Sequence, residues 1–266
     1  MLGVNVDVLG KGDVIKTILS WLKEDDFRLK HIVTAYSEFF VTAAKDAEFR
    51  KVINEADLVT PDGVSVLAAI KYNKLVKKGD GIVDKLFKGL GVGLDVLKGD
   101  LGETVTGVWL FEELCRVSGK KRHKVFLLGG WGGVAGRAAT MLLKRFPGIR
   151  VASDEGEQMA GQEDLKNERA IKAINRFKPD ILFVAYSPVK QEKWIAKHRE
   201  VLKAKVAVGV GGTFDEFVGD LPGSPEWMSK SGLKWLWRLW LQPKRLGRIV
   251  RAVVVFPWLV FKESLS

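Results

Sequence analysis

Asp62 stands between Pro61 and Gly63 in the run Asp57-Leu58-Val59-Thr60-Pro61-Asp62-Gly63. A carboxylate held in a rigid turn just past an apolar run can take the proton from a hydroxyl within hydrogen-bond reach, which is the work of a general base. Asp in such a place also caps helices, here one starting near Val64, and the residues alone leave both roles open. Thr34 closes a second apolar run, His31-Ile32-Val33-Thr34, and is followed by Ala35-Tyr36-Ser37-Glu38. Two more polar clusters follow later runs: Pro188-Val189-Lys190-Gln191-Glu192-Lys193-Trp194 and Gly209-Val210-Gly211-Gly212-Thr213-Phe214-Asp215. Gln191 and Glu192 suit hydrogen bonds to a polyhydroxylated ligand, or are first-turn helix residues facing solvent. Gly211 and Gly212 let the backbone approach a phosphate or sugar closely, and Asp215 serves there or as a turn cap.

A fifth cluster, Lys124-Val125-Phe126-Leu127-Leu128-Gly129-Gly130-Trp131-Gly132-Gly133-Val134-Ala135, contains the spacing Gly130-x-Gly132-x-x-Ala135. Glycines between a strand and a helix can bring backbone N–H groups to a diphosphate, and Asp154 ends the next apolar run where a ribose-binding acid stands in dinucleotide-binding units. This keeps an NAD(P)-dependent oxidoreductase open as an alternative, although such glycines also serve ordinary tight turns. The three His and the single Cys form no nucleophile–His–acid set and no metal-ligand spacing. Cys115 lies in a helical pattern and is expected to be a buried thiol. One Cys also excludes a disulfide framework. The inventory favours group transfer by positioning and acid–base help, with no metal and no cofactor.

The elements that must position these residues alternate along the chain. Strands are expected at Val4–Val8, His31–Thr34, Leu58–Thr60, Lys124–Leu128, Ile149–Ala152, Asp180–Ala185 and Lys205–Val210, each an apolar run bounded by Gly, Asp or Pro. Helical spacing is expected after an Asp13 N-cap, over Ser37–Ala56, Val134–Phe146, Glu163–Phe177 and Gln191–Leu202. Strands without polar alternation, each followed by a helix, imply an α/β fold with a doubly wound, mostly parallel sheet, and such sheets bind ligands at the carboxyl ends of their strands. Leu75–Leu101 breaks the rhythm and reads as a surface helical insertion or as a flap over the site. The expected division is a core over residues 1–219, carrying that insertion at about 75–101, and a basic appendage over residues 220–266.

The chain has 266 residues, 43 Lys and Arg against 32 Asp and Glu, and a net charge of +11. Its hydrophobic content of 47% can support a core, and the opening Met1–Asp13 stretch has no long apolar segment, so cytoplasmic placement is expected. The basicity is local. Residues 227–266 hold eight Lys and Arg against Glu263 alone, and five of the nine Trp. Basic residues interleaved with Trp, Leu and Val describe a segment lying on anionic lipid. The apolar run Ala252–Phe261 contains Pro257 and falls short of the roughly 20 residues a span needs. A helix docked on the core, or in a homo-oligomer interface, is the alternative; nucleic acid is disfavoured because no reader motif accompanies the charge.

Taken together, the motifs resemble those of the WecG/TagA/CpsF family of bacterial glycosyltransferases. Those that carry the resemblance are Thr34-x-x-x-Glu38, Asp57-Leu58-x-x-Pro61-Asp62-Gly63, Val125–Gly130, Gln191-Glu192-Lys193-Trp194, Gly209–Asp215 and Gly232-Leu233-x-Trp235-Leu236-x-Arg238-Leu239, in order from about Val4 to Arg251. The resemblance implies a Rossmann-like, metal-independent, inverting enzyme at the cytoplasmic face of the membrane. It would move a sugar of the N-acetylmannosamine type from a UDP-sugar to a polyprenyl-diphosphate-linked sugar in teichoic acid or surface polysaccharide synthesis. It further implies that Asp62 is the base, Thr34 its partner and Gln191 a substrate contact, and that Arg238, Arg245 and Arg248 close over the donor diphosphate. Tyr36, Gly63, Gly129, Gly130, Glu192, Gly211, Gly212 and Asp215 complete the expected binding rim. The chain departs from the family at Tyr36, where an Asn is usual, at Ser187-Pro188-Val189 in place of a Gly-x-Pro turn, and at Thr104, Trp109 and Gly223 in place of Arg, Asp and Arg. Those departures keep a non-catalytic, membrane-bound member as an alternative, while the retained Asp62 and Gln191-Glu192 pair favour an active transferase.

Overall fold

The computed structural model describes residues 1–24, 28–156, 163–225, 227–228, 233–243 and 246–265. Six strands, β1 (Lys30–Ala35), β2 (Leu58–Pro61), β3 (Lys124–Gly129), β4 (Arg150–Asp154), β5 (Ile181–Ala185) and β6 (Val206–Gly209), form one sheet in the order β2-β1-β6-β5-β3-β4. Every pairing is parallel, with Ala35 beside Pro61, Gly129 beside Ala185, and Gly209 beside both Val33 and Val184. This is the Rossmann-like, doubly wound architecture expected from the unalternating apolar runs.

Helices cover both faces because the pleat sends alternate residues to opposite sides. On one face, Val125, Leu127, Phe183 and Val208 pack with α1 (Lys11–Trp21), α6 (Gly107–Lys121), α7 (Val134–Arg145) and α10 (Thr213–Val218). On the other, Phe126, Leu128 and Val184 meet α8 (Glu163–Phe177) and α9 (Lys190–His198), while Val33, Ala35 and Val59 meet α2 (Ser37–Ala43), α3 (Ala47–Asn54) and α4 (Val64–Leu75). Phe111 is the hub of the first face, with ring centroids 4.9 Å from Phe183, 5.6 Å from Phe214 and 5.2 Å from Phe217.

Four expectations are corrected. Val4–Val8 is not a strand: Asp7 turns its own carboxylate onto the Val59 N–H while its N–H donates to the Val59 carbonyl, each at 2.8 Å, and this ends the sheet at β2. The first helix starts at Lys11 with Gly10 as its cap, leaving Asp13 in the first turn. Ser37–Ala56 is two helices, because Asp46 caps α3 by accepting the Phe49 N–H at 2.9 Å. Helix α9 ends at His198, short of Leu202. The segment from Leu75 to Leu101 carries α5 at Ile82–Lys98, opened by Asp84, which accepts the Gly81 N–H, and closed by left-handed Gly99.

The C-terminal segment comprises α11 (Lys234–Leu241), α12 (Leu246–Val250), a π turn at Arg251–Val255, and α13 (Phe256–Glu263). The wide turn comes just before Pro257, which has no N–H to give to a regular ladder. Phe256 and Val260 are buried in the core beside Phe40, while Val254 and Trp258 on the same run are exposed. One side of this segment is therefore docked on the core. Phe111→Ala should lower the unfolding free energy by about 3–5 kcal/mol, measured by urea denaturation, because its ring is the common contact of three aromatics.

Candidate active site

Parallel pairing places the ends of β1, β2, β5 and β6 on one rim. Asp62 follows β2 directly; its N–H donates to the Ala35 carbonyl at 2.9 Å, and its carboxylate accepts the Gly107 N–H at 3.0 Å. Gly107 is the first residue of α6, so the acid is oriented by a helix start from a distant part of the chain. Gly63 is the N-cap residue of α4, at φ +117°. The segment before α6 is pinned to β2 as well, by Val105 N–H to the Pro61 carbonyl at 3.1 Å and by the Thr60 hydroxyl to the Val105 carbonyl at 3.4 Å.

Two hydroxyls converge on the same glycine. A Cβ on Gly107 would lie 3.3 Å from Thr34 Oγ1 and 3.6 Å from Thr213 Oγ1. Thr34 donates to the Gly209 carbonyl at 3.4 Å, and Thr213 to the Val210 carbonyl at 2.7 Å. Asp62 and Thr34 are thus brought to one spot from β2 and β1.

Behind the rim runs a buried polar chain. His31 Nε2 lies 2.7 Å from Glu192 Oε2, Gln191 Nε2 donates to Glu192 Oε1 at 2.9 Å, and Gln191 Oε1 accepts the Gly211 N–H at 2.9 Å. His31, Gln191 and Glu192 are 1%, 4% and 0% exposed, so the two α9 residues are not on solvent. The glutamate stands behind the glutamine and holds it against the Gly211 loop. Gly209 makes room for this arrangement: a Cβ there would sit 2.1 Å from Glu192 Oε1 and 2.5 Å from Gln191 Nε2.

The remaining expected residues are placed around this centre. Gly211 and Gly212 form the turn into α10, with Asp215 in its first turn. Gly129 and Gly130 sit between the ends of β3 and β5, where β3 leads outward to β4 and β5 leads back to β6, the reversal at which open α/β sheets form a crevice. Gly130, at φ +81°, donates to the Ala185 carbonyl at 2.9 Å, and a Cβ on it would strike Val134 at 2.2 Å. Local backbone packing thus demands this glycine. Asp154 accepts the Gly156 N–H at 2.7 Å and Arg169 Nη2 at 2.8 Å, both on Oδ1.

Tyr36, one residue past β1, is joined to the C-terminal segment. Arg248 donates to the Tyr36 hydroxyl at 2.7 Å and to Glu38 at 2.8 Å, Arg251 donates to Glu38 at 2.9 Å, and Tyr36 donates to Glu38 at 3.2 Å. Burial pushes the Tyr36 hydroxyl up, Arg248 opposes that and Glu38 adds to it, so the group stays a protonated phenol. Arg245 and the side chain of Arg238 lie outside the described residues. Gly107, Thr213 and His31 carry structural roles that spacing did not announce. His31 is separated from Glu192 by 161 positions, and its only signal was a titratable ring inside an apolar run.

The rim combines an oriented carboxylate, two hydroxyls and close backbone turns at the carboxyl ends of the strands, which defines a Rossmann-like α/β protein with a polar crevice on its ligand edge. The chain belongs to the glycosyl transferase WecG/TagA/CpsF family, whose model matches residues 1–82 and 88–266. It is 28% identical over 264 residues, 99% of this chain and 92% of the relative, to the N-acetylglucosaminyldiphosphoundecaprenol N-acetyl-beta-D-mannosaminyltransferase of Staphylococcus aureus (strain MRSA252). The proteins of that name from strains NCTC 8325 / PS 47 and COL match with the same identity and coverage.

Glu192→Ala should cost about 3 kcal/mol, since it leaves His31 and Gln191 buried without their shared acceptor, and Glu192→Gln should cost less. Chemical denaturation of the two variants beside the parent checks the order.

Proposed function

We propose that this chain is an inverting glycosyltransferase that moves a sugar of the N-acetylmannosamine type from a UDP-sugar to a polyprenyl-diphosphate-linked sugar. The reading rests above all on Asp62, oriented by the Gly107 N–H on the ligand edge of the sheet with the Thr34 hydroxyl at the same glycine. The acceptor hydroxyl loses its proton to Asp62 as its oxygen forms a bond to the anomeric carbon, and the bond from that carbon to the UDP oxygen breaks on the opposite side. Thr34 positions the acceptor. Gln191, fixed by Glu192, presents the Gly211 turn to the donor. The backbone N–H groups before α7 and the guanidinium of Arg248 offset the charge of departing UDP. The relatives' names, with a diphosphoundecaprenol-linked acceptor and a mannosaminyl group, support the choice of substrates.

Such an acceptor resides in a membrane, and no helix among the described residues is long and apolar enough to cross one. We infer attachment to an anionic surface from the cytoplasmic side, with exposed Trp240 and Trp258 and the tail cations at the lipid headgroups.

Asp62→Asn should lower kcat by roughly a hundredfold or more while thermal stabilisation by UDP persists. Near-normal transfer to a lipid-diphosphate-sugar acceptor would remove Asp62 from the mechanism. Stabilisation by NAD(P) and not by UDP would favour an oxidoreductase. Trp240→Ser combined with Trp258→Ser should weaken sedimentation with phosphatidylglycerol vesicles and leave the melting temperature within a few degrees, about what surface changes cost. Unchanged sedimentation would count against the tail as an attachment.

A further inference from the structure

Helix α5 shows its apolar side to solvent. Ile82, Val83, Leu86, Phe87, Leu90, Leu94 and Leu97 are all 50–69% exposed. At about 100° per residue they fall within one sector of the helix, whereas Lys85 and Val92, on another side, are buried. Scattered exposed leucines are ordinary, but a stripe of seven along a helix of 17 residues, about 25 Å long, is a built surface.

Charge identifies the occupant. The acids of α5 are already engaged: Asp84 accepts the Gly81 N–H at its start and Asp95 pairs with Lys71 at 2.9 Å. Asp80, just before the helix, is paired with Lys88. Lys74, Lys77 and Lys78 before the helix and Lys98 at its end have exposed side chains, against exposed Asp84 and Asp100, an excess of two positive charges. A second copy docked through the same face would bring the same lysines onto this margin, whereas an anionic lipid surface complements it. The other side of α5 is attached to the C-terminal segment. Lys85 Nζ donates to the Ser264 carbonyl at 2.6 Å, and the Tyr72 hydroxyl of α4 lies 3.1 Å from the Ser264 hydroxyl.

We propose that the apolar sector of α5 inserts into the headgroup–acyl boundary of an anionic bilayer as a membrane contact separate from the basic tail. The helix lies flat in the interface, with Phe87, Leu90 and Leu94 among the upper acyl carbons and the flanking lysines on lipid phosphates. Since α4, which packs on α5, starts at Val64 two residues after Asp62, this contact sets the height of the Asp62 rim above the lipid. That consequence rests on the transferase reading; the contact itself does not.

The test is co-sedimentation of the full chain with equimolar phosphatidylglycerol–phosphatidylcholine vesicles, with the tail intact. Phe87→Ser combined with Leu90→Ser and Leu94→Ser should lower vesicle partitioning at least about tenfold with circular dichroism and melting temperature unchanged. A Leu90→Cys protein labelled with an environment-sensitive fluorophore, in which Cys115 stays buried, should shift to the blue and be quenched by acyl-chain nitroxide lipids. Unaltered partitioning of the triple variant, or an unquenched label on vesicle-bound protein, overturns the proposal. So does a change from dimer to monomer in the variant with partitioning unchanged, which makes a second copy the occupant. Transfer to a short-chain, water-soluble acceptor, measured alongside, separates the ideas: its loss in wild type sinks the transferase reading and leaves the lipid contact standing.

Discussion

A parallel sheet brings the carboxyl ends of all its strands to one edge, and the candidate site of this chain depends on that alignment. Pro61 lies beside Ala35, and Gly209 beside Val33, so the loops that follow meet although they are far apart in the chain. The hydrogen bond from Asp62 N–H to the Ala35 carbonyl continues the β1–β2 ladder by one step, and it carries the acid just beyond the last strand residue. Precision at the site therefore comes from a backbone ladder and not from a mobile loop.

The second support is the buried His31–Glu192–Gln191 chain. A carboxylate with no exposure is costly unless its oxygens have partners, and here each oxygen has one. The arrangement links β1, α9 and the turn after β6, three elements around the same crevice. Gly209 is needed because the backbone of β6 passes within reach of both side chains. The network thus explains a Gln-Glu pair in a place where polar first-turn residues ordinarily face water.

The C-terminal segment has two sides that do different things. Its inner side is part of the core through Phe256 and Val260, and Arg248 and Arg251 bind Glu38 at the start of α2. Its outer side leaves Val254 and Trp258 exposed. Tyr36 joins the two regions through its hydroxyl. Arg248 and Arg251 therefore hold the C-terminal segment against Tyr36 and Glu38.

Much of the architecture was legible in the sequence. Apolar runs of strand length, free of alternation, require burial on both faces, and that suffices for a doubly wound parallel sheet. Pro61-Asp62-Gly63 and Gly209–Asp215 could be set on its ligand edge because each follows such a run. Val4–Val8 misled because an apolar run carries no information on whether its neighbour's N–H is taken by a backbone carbonyl or, as with Asp7 and Val59, by a side chain. The break at Asp46 was hidden because helical spacing continues across it. Local pattern thus determined which elements form and which residues lie at their ends. Only the tertiary structure decided that Gly107 orients Asp62, that His31 holds Glu192, and that α5 turns its leucines outward. Those outcomes depend on contacts between residues tens to more than a hundred positions apart, and no local period records which face of an element will find a partner.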